Sequence, residues 1–298
     1  MVYTKKSFLL FIVLAFAPVW GGCLALMLRP VDAGMKTLVF MGFMFMPALA
    51  SILTRLICRE GFSDMYLRPR FRGTIKRYAV AWLLPGLLCI LGAVIYFLLV
   101  PGMFDPASSQ LVASGVTSEQ LPLVLAAQFA LLLFAPLINL IPCLGEELGW
   151  RGYLLRKLAC VMSERRAAVV TGIIWGFWHA PMIALGHNYG LDYPGYPWLG
   201  ILMMTVFCVL FGTLVALLTF RTKSAIPAAL AHAGLNGSAS IGLLFCFPGY
   251  NPLIGPYLMG AIGGIPLVVA GVICYLMMKR ERGEAEPEGA AEPAEQAS

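Results

Sequence analysis

The sequence predicts an all-α membrane protein, a polytopic bundle of about eight transmembrane helices. Hydrophobic residues make up 60% of the 298 residues and charged residues 12%, whereas soluble domains have about 45–50% apolar and about 25% charged residues. The apolar residues are concentrated in runs of about 20, the length that spans a bilayer. The basic residues are concentrated between alternate runs. Composition, run length and charge placement therefore indicate the same fold class.

Eight apolar runs are expected to span the membrane. The fourth run contains Pro136 and is followed by Pro142. Because proline removes a backbone donor and clashes with the preceding turn, this helix is expected to be kinked or broken. It continues as an amphipathic stretch to about Leu158. The predicted spans lie near Phe8–Leu28, Thr37–Ile57, Tyr78–Val100, Leu121–Ile141, Val169–Leu185, Trp198–Phe220, Ile226–Phe247 and Gly255–Met278.

The basic residues of the loops predict the orientation of the chain. Of the 21 Lys and Arg residues, 19 fall at the termini or in loops on one side of the predicted spans, and only Arg29 and Lys36 fall on the other. Loops rich in Lys and Arg stay in the cytoplasm. Both termini are therefore expected to be cytoplasmic, and the absence of targeting sequences favours a prokaryotic plasma membrane. The net charge of +6 reflects this asymmetry and does not indicate nucleic-acid binding.

The chain is expected to consist of a transmembrane domain and a tail. Residues 1–278 form the transmembrane domain, which membrane lipids surround. Residues 279–298 are rich in Glu, Ala and Pro and contain no aromatic residue, a composition that predicts a disordered acidic tail in the cytoplasm. The eight cysteines have no C-x-x-C spacing, so neither a disulfide framework nor a zinc–thiolate site is indicated.

Few ionisable residues lie in or next to the predicted spans. Because a charge at membrane depth is costly, each of them is a candidate functional residue. Glu146 and Glu147 follow the fourth span, His179 lies in the fifth, and His232 and Asn236 lie in the seventh. Residues four apart share a helix face, so the seventh span is expected to present its imidazole and amide together. Three helices could thus direct a carboxylate, two imidazoles and an amide at one point.

The two adjacent glutamates are expected to differ. Glu147 precedes Arg151 by four residues, which is the favourable order for a helical ion pair, and this pairing tends to keep Glu147 ionised. Glu146 points about 100° away from Glu147 on a helix and is therefore freer to face a cavity. Trp175 stands four residues before His179, so these two side chains also share a helix face.

Two chemical routes are open to such a cluster. A carboxylate beside a neutral imidazole can activate water as a general base, while a second imidazole and an amide stabilise an oxyanion. Alternatively, Glu146, His179 and His232 can bind a catalytic divalent metal such as zinc, with water in the open position. Both routes end in hydrolysis of a carbonyl bond, and the residues leave the choice open. The patterns H-E-x-x-H, G-x-S-x-G and the P-loop do not occur.

Three short motifs occur in order on separate spans between about Leu121 and Asn236. They are E-E-x-x-x-R at 146–151, F-x-x-x-H at 175–179 with Trp175 in place of the usual Phe, and H-x-x-x-N at 232–236. Each motif is weak alone, but the ordered set resembles the CPBP family of intramembrane proteases (CAAX protease and bacteriocin-processing, or Abi, proteins). The exchange of Phe for Trp keeps an aromatic ring and is expected to change little.

The resemblance implies an integral membrane endopeptidase with a membrane-associated protein or peptide as its substrate. Cleavage is expected near the cytoplasmic membrane face, in a cavity open to that side. Family mechanisms are described either as metalloprotease chemistry or as glutamate-activated water without a catalytic metal. The implied cofactor is therefore none, or a divalent metal.

The resemblance also implies a role for each motif residue. Glu146 would be the base, assisted by His179, and the H-x-x-x-N residues would stabilise the oxyanion. The implied catalytic set is Glu146, His179, His232 and Asn236. The implied supporting set, which organises the site, is Glu147, Arg151 and Trp175.

Each motif also has a plainer explanation. Glu147 and Arg151 can be an ordinary ion pair at a helix end, and His232 and Asn236 can form hydrogen bonds between helices. The alternative function is therefore a non-catalytic membrane scaffold, immunity factor or transporter on the same fold. The complete Glu, His, His and Asn set favours the protease, because a scaffold has no need of it. His187, near the end of the fifth span, is interpreted as an ordinary loop residue.

Overall fold

The helical membrane bundle predicted from the sequence is confirmed. The computed structural model describes residues 3–280, so the predicted tail lies almost entirely outside the described residues. Within them, six helical segments are long and apolar enough to cross a membrane, and the chain is an integral membrane protein. The segments are Lys5–Leu28, Ala33–Cys58, Ile75–Leu99, Leu121–Ile138, Trp198–Thr222 and Ile226–Phe245.

Thirteen α-helices follow one another along residues 3–280, with short 3₁₀ or π segments between some of them. The helices are α1 (Lys5–Leu28), α2 (Ala33–Phe43), α3 (Met46–Cys58), α4 (Ile75–Leu99), α5 (Ser109–Ala113), α6 (Leu121–Ile138), α7 (Leu140–Gly149), α8 (Leu155–Ala159), α9 (Glu164–Trp178), α10 (Ala180–Ile183), α11 (Trp198–Thr222), α12 (Ile226–Ser238) and α13 (Ile265–Met277).

The predicted count of eight spans holds only approximately. The fifth and eighth predicted spans correspond to shorter helices, α9 with 15 residues and α13 with 13. The first turn of α9 is charged, because Glu164 and Arg165 follow the capping residue Ser163. Before α13, Gly263 and Gly264 pack directly against backbone carbonyls of the preceding turns, and the helix begins at Ile265.

The expected break in the fourth span is confirmed. α6 ends at Ile138, Asn139 interrupts the helix, and α7 carries the chain to Gly149. A π-helical segment, Trp150–Leu154, then joins α7 to α8. Such π segments are frequent at functional sites, and this one begins three residues after Glu147. The segment that contains the E-E-x-x-x-R motif is therefore three short helical pieces rather than one continuous helix.

Glycines let the motif helices approach their neighbours closely. Gly149 and Gly176 each end a G-x-x-x-G pattern, which is typical of close packing between membrane helices. A Cβ atom on Gly149 would lie 2.3 Å from the Pro47 side chain, and a Cβ atom on Gly176 would lie 2.5 Å from the Cα of Thr205. No larger residue fits at either place. These close contacts therefore set the distance between α7 and α3 and the distance between α9 and α11.

Ion pairs with buried cations join the elements at the face of the bundle that carries the basic loops. Lys157 donates to Glu60 Oε1 and Arg55 donates to Asp64 Oδ1, both at 2.5 Å. Each cationic side chain is 1% exposed, and the Tyr153 hydroxyl donates to Glu60 at 3.0 Å. Although partial burial acts to raise the pKa of Asp64, the adjacent Arg55 guanidinium lowers it below its ordinary value. The pairs join α3, the loop after it and α8, and Glu60, Asp64 and Lys157 line a cavity of about 660 Å³ on this face.

Candidate active site

All four residues of the implied catalytic set line one cavity of about 320 Å³. Glu146 comes from α7, His179 directly follows α9, and His232 and Asn236 come from α12. The structure therefore brings the carboxylate, both imidazoles and the amide to one place from three separate parts of the chain. Trp175, on α9, lines the same cavity.

Glu146 is buried, and its two carboxylate oxygens have different surroundings. Oε2 accepts hydrogen bonds from Trp175 Nε1 at 2.8 Å and from Trp150 Nε1 at 3.4 Å. Burial disfavours the ionised form of this carboxylate, whereas the two indole donors on one oxygen fix its orientation and favour the ionised form. Oε1 makes no hydrogen bond within the described part of the chain. The cavity-facing oxygen is therefore free to take a proton.

His179 is held by the main chain one helical turn earlier. Its Nδ1 lies 2.8 Å from the carbonyl oxygen of Trp175. Because a carbonyl oxygen only accepts, we assign the proton to Nδ1, which leaves the lone pair on Nε2. The edge of the Trp178 ring packs against the imidazole, with the ring centroids 4.8 Å apart. The ring is thus fixed in the tautomer that presents an acceptor nitrogen to the cavity.

Glu147 and Arg151 form the ion pair that their spacing predicted. Arg151 Nη1 donates to Glu147 Oε1 at 2.9 Å, and both side chains are fully buried. The same oxygen lies 2.9 Å from His232 Nδ1, a contact between helices that was not expected. A carboxylate on Nδ1 fixes the tautomer of a histidine and leaves Nε2 for the site. Glu147 therefore acts on the cavity through His232 and does not line it.

Trp175 contacts four members of the cluster, on three sides. Its indole N–H bonds Glu146 and its carbonyl oxygen accepts from His179. Its ring lies 4.3 Å from the Arg151 guanidinium carbon and meets the His232 ring edge-on at 5.3 Å. Phenylalanine, the usual residue in the resembling family, can make the ring contacts but has no N–H. The exchange of Phe for Trp therefore changes the surroundings of Glu146, although the sequence suggested that it would change little.

Asn236 lies one turn after His232 on α12 and is exposed to the cavity. Its amide nitrogen is 3.5 Å from Cys143 Sγ, a weak acceptor. Sulfur occupies little of the hydrogen-bonding capacity of an amide. The Asn236 N–H groups therefore remain available to a developing negative charge in the cavity.

Two further residues of the site were missed from the sequence. Trp150 stands four residues after Glu146, so helical spacing could have identified it as a donor. His187, interpreted as a loop residue, lies in the turn after α10 and lines the cavity, with its ring edge-on to Phe40 at 5.3 Å. Burial, and then the nearby Lys36 charge, lowers the pKa of His187 to about 4. It is therefore neutral near pH 7, and no local pattern indicated its place.

The groups suggested as metal ligands have free donor atoms but are not gathered around one point. Within residues 3–280, no group of three or more His, Cys, Asp or Glu side chains is positioned to hold a metal ion. Glu146, His179 and His232 are the set that the sequence suggested as ligands. Their hydrogen bonds use Glu146 Oε2 and the Nδ1 atoms of both histidines, and they leave Glu146 Oε1 and both Nε2 atoms, through which these residues would bind a divalent metal such as zinc.

The cavity lies towards the face opposite the basic loops. Besides the motif residues, its lining includes Thr37 near the start of α2, Asn188 after α10 and Met204 near the start of α11. These helix ends adjoin the loops with few basic residues. This lining does not support the expected opening towards the basic loops.

Comparison with known proteins supports the resemblance that the motifs suggested. Residues 127–238, which contain all three motifs, match a family model described as type II CAAX prenyl endopeptidase Rce1-like. A 44-residue stretch is 43% identical to CAAX prenyl protease 2 of Methanococcus maripaludis. That stretch covers 15% of this chain and 16% of the relative. The family resemblance is thus confirmed for the segment that contains the site, and the match spans only a small part of the relative's length.

Proposed function

We propose that this protein is an intramembrane endopeptidase in which Glu146 activates a water molecule to hydrolyse a peptide bond. The observation that carries the proposal is the unpartnered Oε1 of a carboxylate that two indoles orient into a cavity shared with two imidazoles. The Rce1-like family match and the relative named CAAX prenyl protease 2 support a peptidase. A scaffold would gain nothing from burying these groups together, since burying polar groups costs free energy.

The proposed reaction uses groups already in place. Glu146 Oε1 takes a proton from water as the water oxygen bonds to the peptide carbonyl carbon, and His179 Nε2 accepts a hydrogen bond from the same water. The carbonyl oxygen becomes an oxyanion, to which the Asn236 amide donates. His232, whose Nδ1 bonds Glu147, presents Nε2 to the cavity as an acceptor, so the Asn236 amide is the donor to the oxyanion in this mechanism. The C–N bond then breaks, and the proton held by Glu146 passes to the leaving amine.

The proposed substrate is a membrane-associated protein or peptide with apolar side chains near the cleaved bond. The walls of the cavity beyond the motif residues are mainly apolar and include several methionines, among them Met41, Met44, Met204 and Met259. Methionine is flexible and adapts to differently shaped partners. We therefore expect the enzyme to tolerate several apolar side chains rather than to require one.

A cleavage assay tests the proposal directly. The purified protein in detergent micelles is given an internally quenched peptide library, and the same preparation is analysed for metal. We expect cleavage by the wild type and none above background by a variant lacking all four cavity groups (Glu146→Gln, His179→Ala, His232→Ala and Asn236→Ala). Equal cleavage by both proteins would exclude the site. A stoichiometric metal whose removal abolishes cleavage would replace the glutamate route with a metal-dependent one.

The alternative function is a non-catalytic membrane scaffold, immunity factor or transporter on the same fold. It predicts that the fourfold variant still folds and still supports the cellular phenotype of the wild type. A complementation experiment in a strain that lacks the native protein distinguishes the two functions, because only the protease needs the four groups.

Trp175→Phe is expected to lower kcat about 10-fold and to move the acidic limb of the pH–rate profile to higher pH. It removes one charge-assisted hydrogen bond, worth about 1.5–3 kcal/mol, and a donor to a carboxylate favours the ionised form. Trp178→Phe is the matched control, because its indole N–H bonds the Ala15 carbonyl oxygen and not Glu146. An identical pH profile in wild type and Trp175→Phe would show that the N–H does not act on the base.

A further inference from the structure

The cavity is lined mainly by the halves of the helices that adjoin the sparsely charged loops. On the span Ala33–Cys58, the lining residues Thr37 and Met41 lie in the first half. On the 25-residue helix α11, the lining residues Met204 and Phe207 also lie in the first half. At 1.5 Å per residue, Phe207 lies about 14 Å from the start of α11 and about 22 Å from its end. The cavity therefore extends from mid-bundle towards the sparsely charged loops.

The opposite route to the cavity is blocked by buried groups. Next to Glu146 in the chain, Glu147 and Arg151 form a fully buried pair, and Trp150 and Tyr153 of the π segment are also fully buried. Beyond them, on the basic face, Glu60, Asp64 and Lys157 line a second cavity of about 660 Å³, which shares no lining residue with the first. A substrate from that side would have to separate the buried Glu147–Arg151 pair, and breaking a buried ion pair is strongly unfavourable. The cavity of the basic face therefore does not reach Glu146.

The rim of the cavity at the sparsely charged loops has few charges, and a contact between residues distant in sequence links its parts. Lys36 Nζ donates to the carbonyl oxygen of Leu185 at 3.2 Å, which links α2 to the turn after α10. His187, in that turn, is neutral near pH 7, because burial and the nearby Lys36 charge lower its pKa. Glu146 is the only acidic residue in the cavity lining among the described residues. An apolar segment of a peptide thus meets little desolvation cost until it reaches the carboxylate.

We infer that the substrate reaches the cavity from the face opposite the basic loops, as an apolar peptide segment in or near the extracytoplasmic leaflet. The 19-to-2 distribution of Lys and Arg puts the basic loops in the cytoplasm, and the cavity opens away from them. The inference rests on the proposed function for the chemistry of its substrate. The direction of access can be measured without catalysis.

Thiol labelling tests the direction of access. Ala239→Cys and Asn188→Cys place a thiol in the cavity lining, and Arg59→Cys places one on the exposed basic face. Each variant is treated with a membrane-impermeant maleimide in right-side-out and in inverted vesicles, and the wild-type protein gives the background of its own cysteines. We expect both cavity variants to label at least about tenfold faster in right-side-out vesicles, and Arg59→Cys to label faster in inverted ones. Cavity labelling confined to inverted vesicles overturns the inference.

A cleavage experiment on the same vesicles separates this inference from the proposed function. A charged, membrane-impermeant fluorogenic peptide, chosen as the one that the detergent-solubilised enzyme cleaves fastest, is added outside the vesicles, with Glu146→Gln vesicles as blank. We expect hydrolysis in right-side-out and not in inverted vesicles, and the reverse result contradicts the inference. If no peptide is cleaved in detergent while the labelling result holds, the proposed function fails and the direction of access stands.

Discussion

Glu146→Gln is expected to lower kcat by about 10²–10⁴-fold, the usual range for loss of a general base, with little change in stability. Glutamine has the same shape and keeps an oxygen that can accept from the Trp150 and Trp175 indoles. It cannot take a proton from water at neutral pH. Because Oε1 carries no other hydrogen bond in the described part of the chain, the substitution removes the proton acceptor and leaves the packing of the side chain unchanged. Initial rates with the quenched peptide, and unfolding midpoints in detergent, measure the two effects separately.

Glu147→Gln is the matched control for this prediction, since it makes the same change one residue away. Glu147 is bound to Arg151 and His232 and does not line the cavity. Its replacement should destabilise the protein and disturb His232 without removing the base. If Glu146→Gln stays fully active while Glu147→Gln is inactive, the roles of the two carboxylates are the reverse of those proposed here.

Arg151→Ala is expected to destabilise the protein by about 3–5 kcal/mol, because it leaves Glu147 buried without its partner. The guanidinium also stacks on Trp175, with its carbon 4.3 Å from the ring centroid, so the truncation loosens the residue that orients Glu146. Gly212 on α11 leaves room for this side chain, since a Cβ atom there would lie 3.2 Å from Arg151 Nη2. Chemical unfolding in mixed micelles, together with the yield of folded protein, measures the effect.

Arg156→Ala provides the comparison on the same stretch of chain. Arg156 is partly exposed, pairs with Asp64 at 3.4 Å and lies over the Tyr66 ring at 3.8 Å, and Asp64 keeps its Arg55 partner when Arg156 is removed. We expect its loss to be several times smaller than that of Arg151. Combining Arg151→Ala with Glu147→Leu removes both buried charges, and the double variant should be more stable than Arg151→Ala alone. Equal destabilisation by Arg151→Ala and Arg156→Ala would refute the role of the buried pair.

Several features of this protein followed from its sequence because they depend on local properties of the chain. The lengths of the apolar runs indicated a membrane bundle, and Pro136 and Pro142 marked the region where the fourth span breaks after Ile138. The pairing of Glu147 with Arg151 followed from helical spacing, since residues four apart meet on any helix. Properties of this kind are set by chain chemistry and by the pitch of a helix.

The number of full-length spans was less certain from the sequence. Hydropathy alone did not distinguish a continuous helix from a shorter one with a polar start, such as α9, or with a glycine-rich lead, such as α13. Helix ends depend on caps and on packing of turns as much as on apolar content. The apolar runs therefore indicated how many segments there are but not how long each helix is.

Only the tertiary structure decided which groups meet across helices. The indole of Trp175 reaches Glu146, His232 reaches Glu147, and His187 joins the cavity lining. These contacts depend on the rotation and depth of each helix relative to its neighbours, which close contacts such as Gly149 against Pro47 set. The side of the bundle on which the cavity opens also depends on which parts of the helices line it. Helical periodicity predicts which residues share a helix face, but the packing of several helices decides which residues of other helices that face contacts.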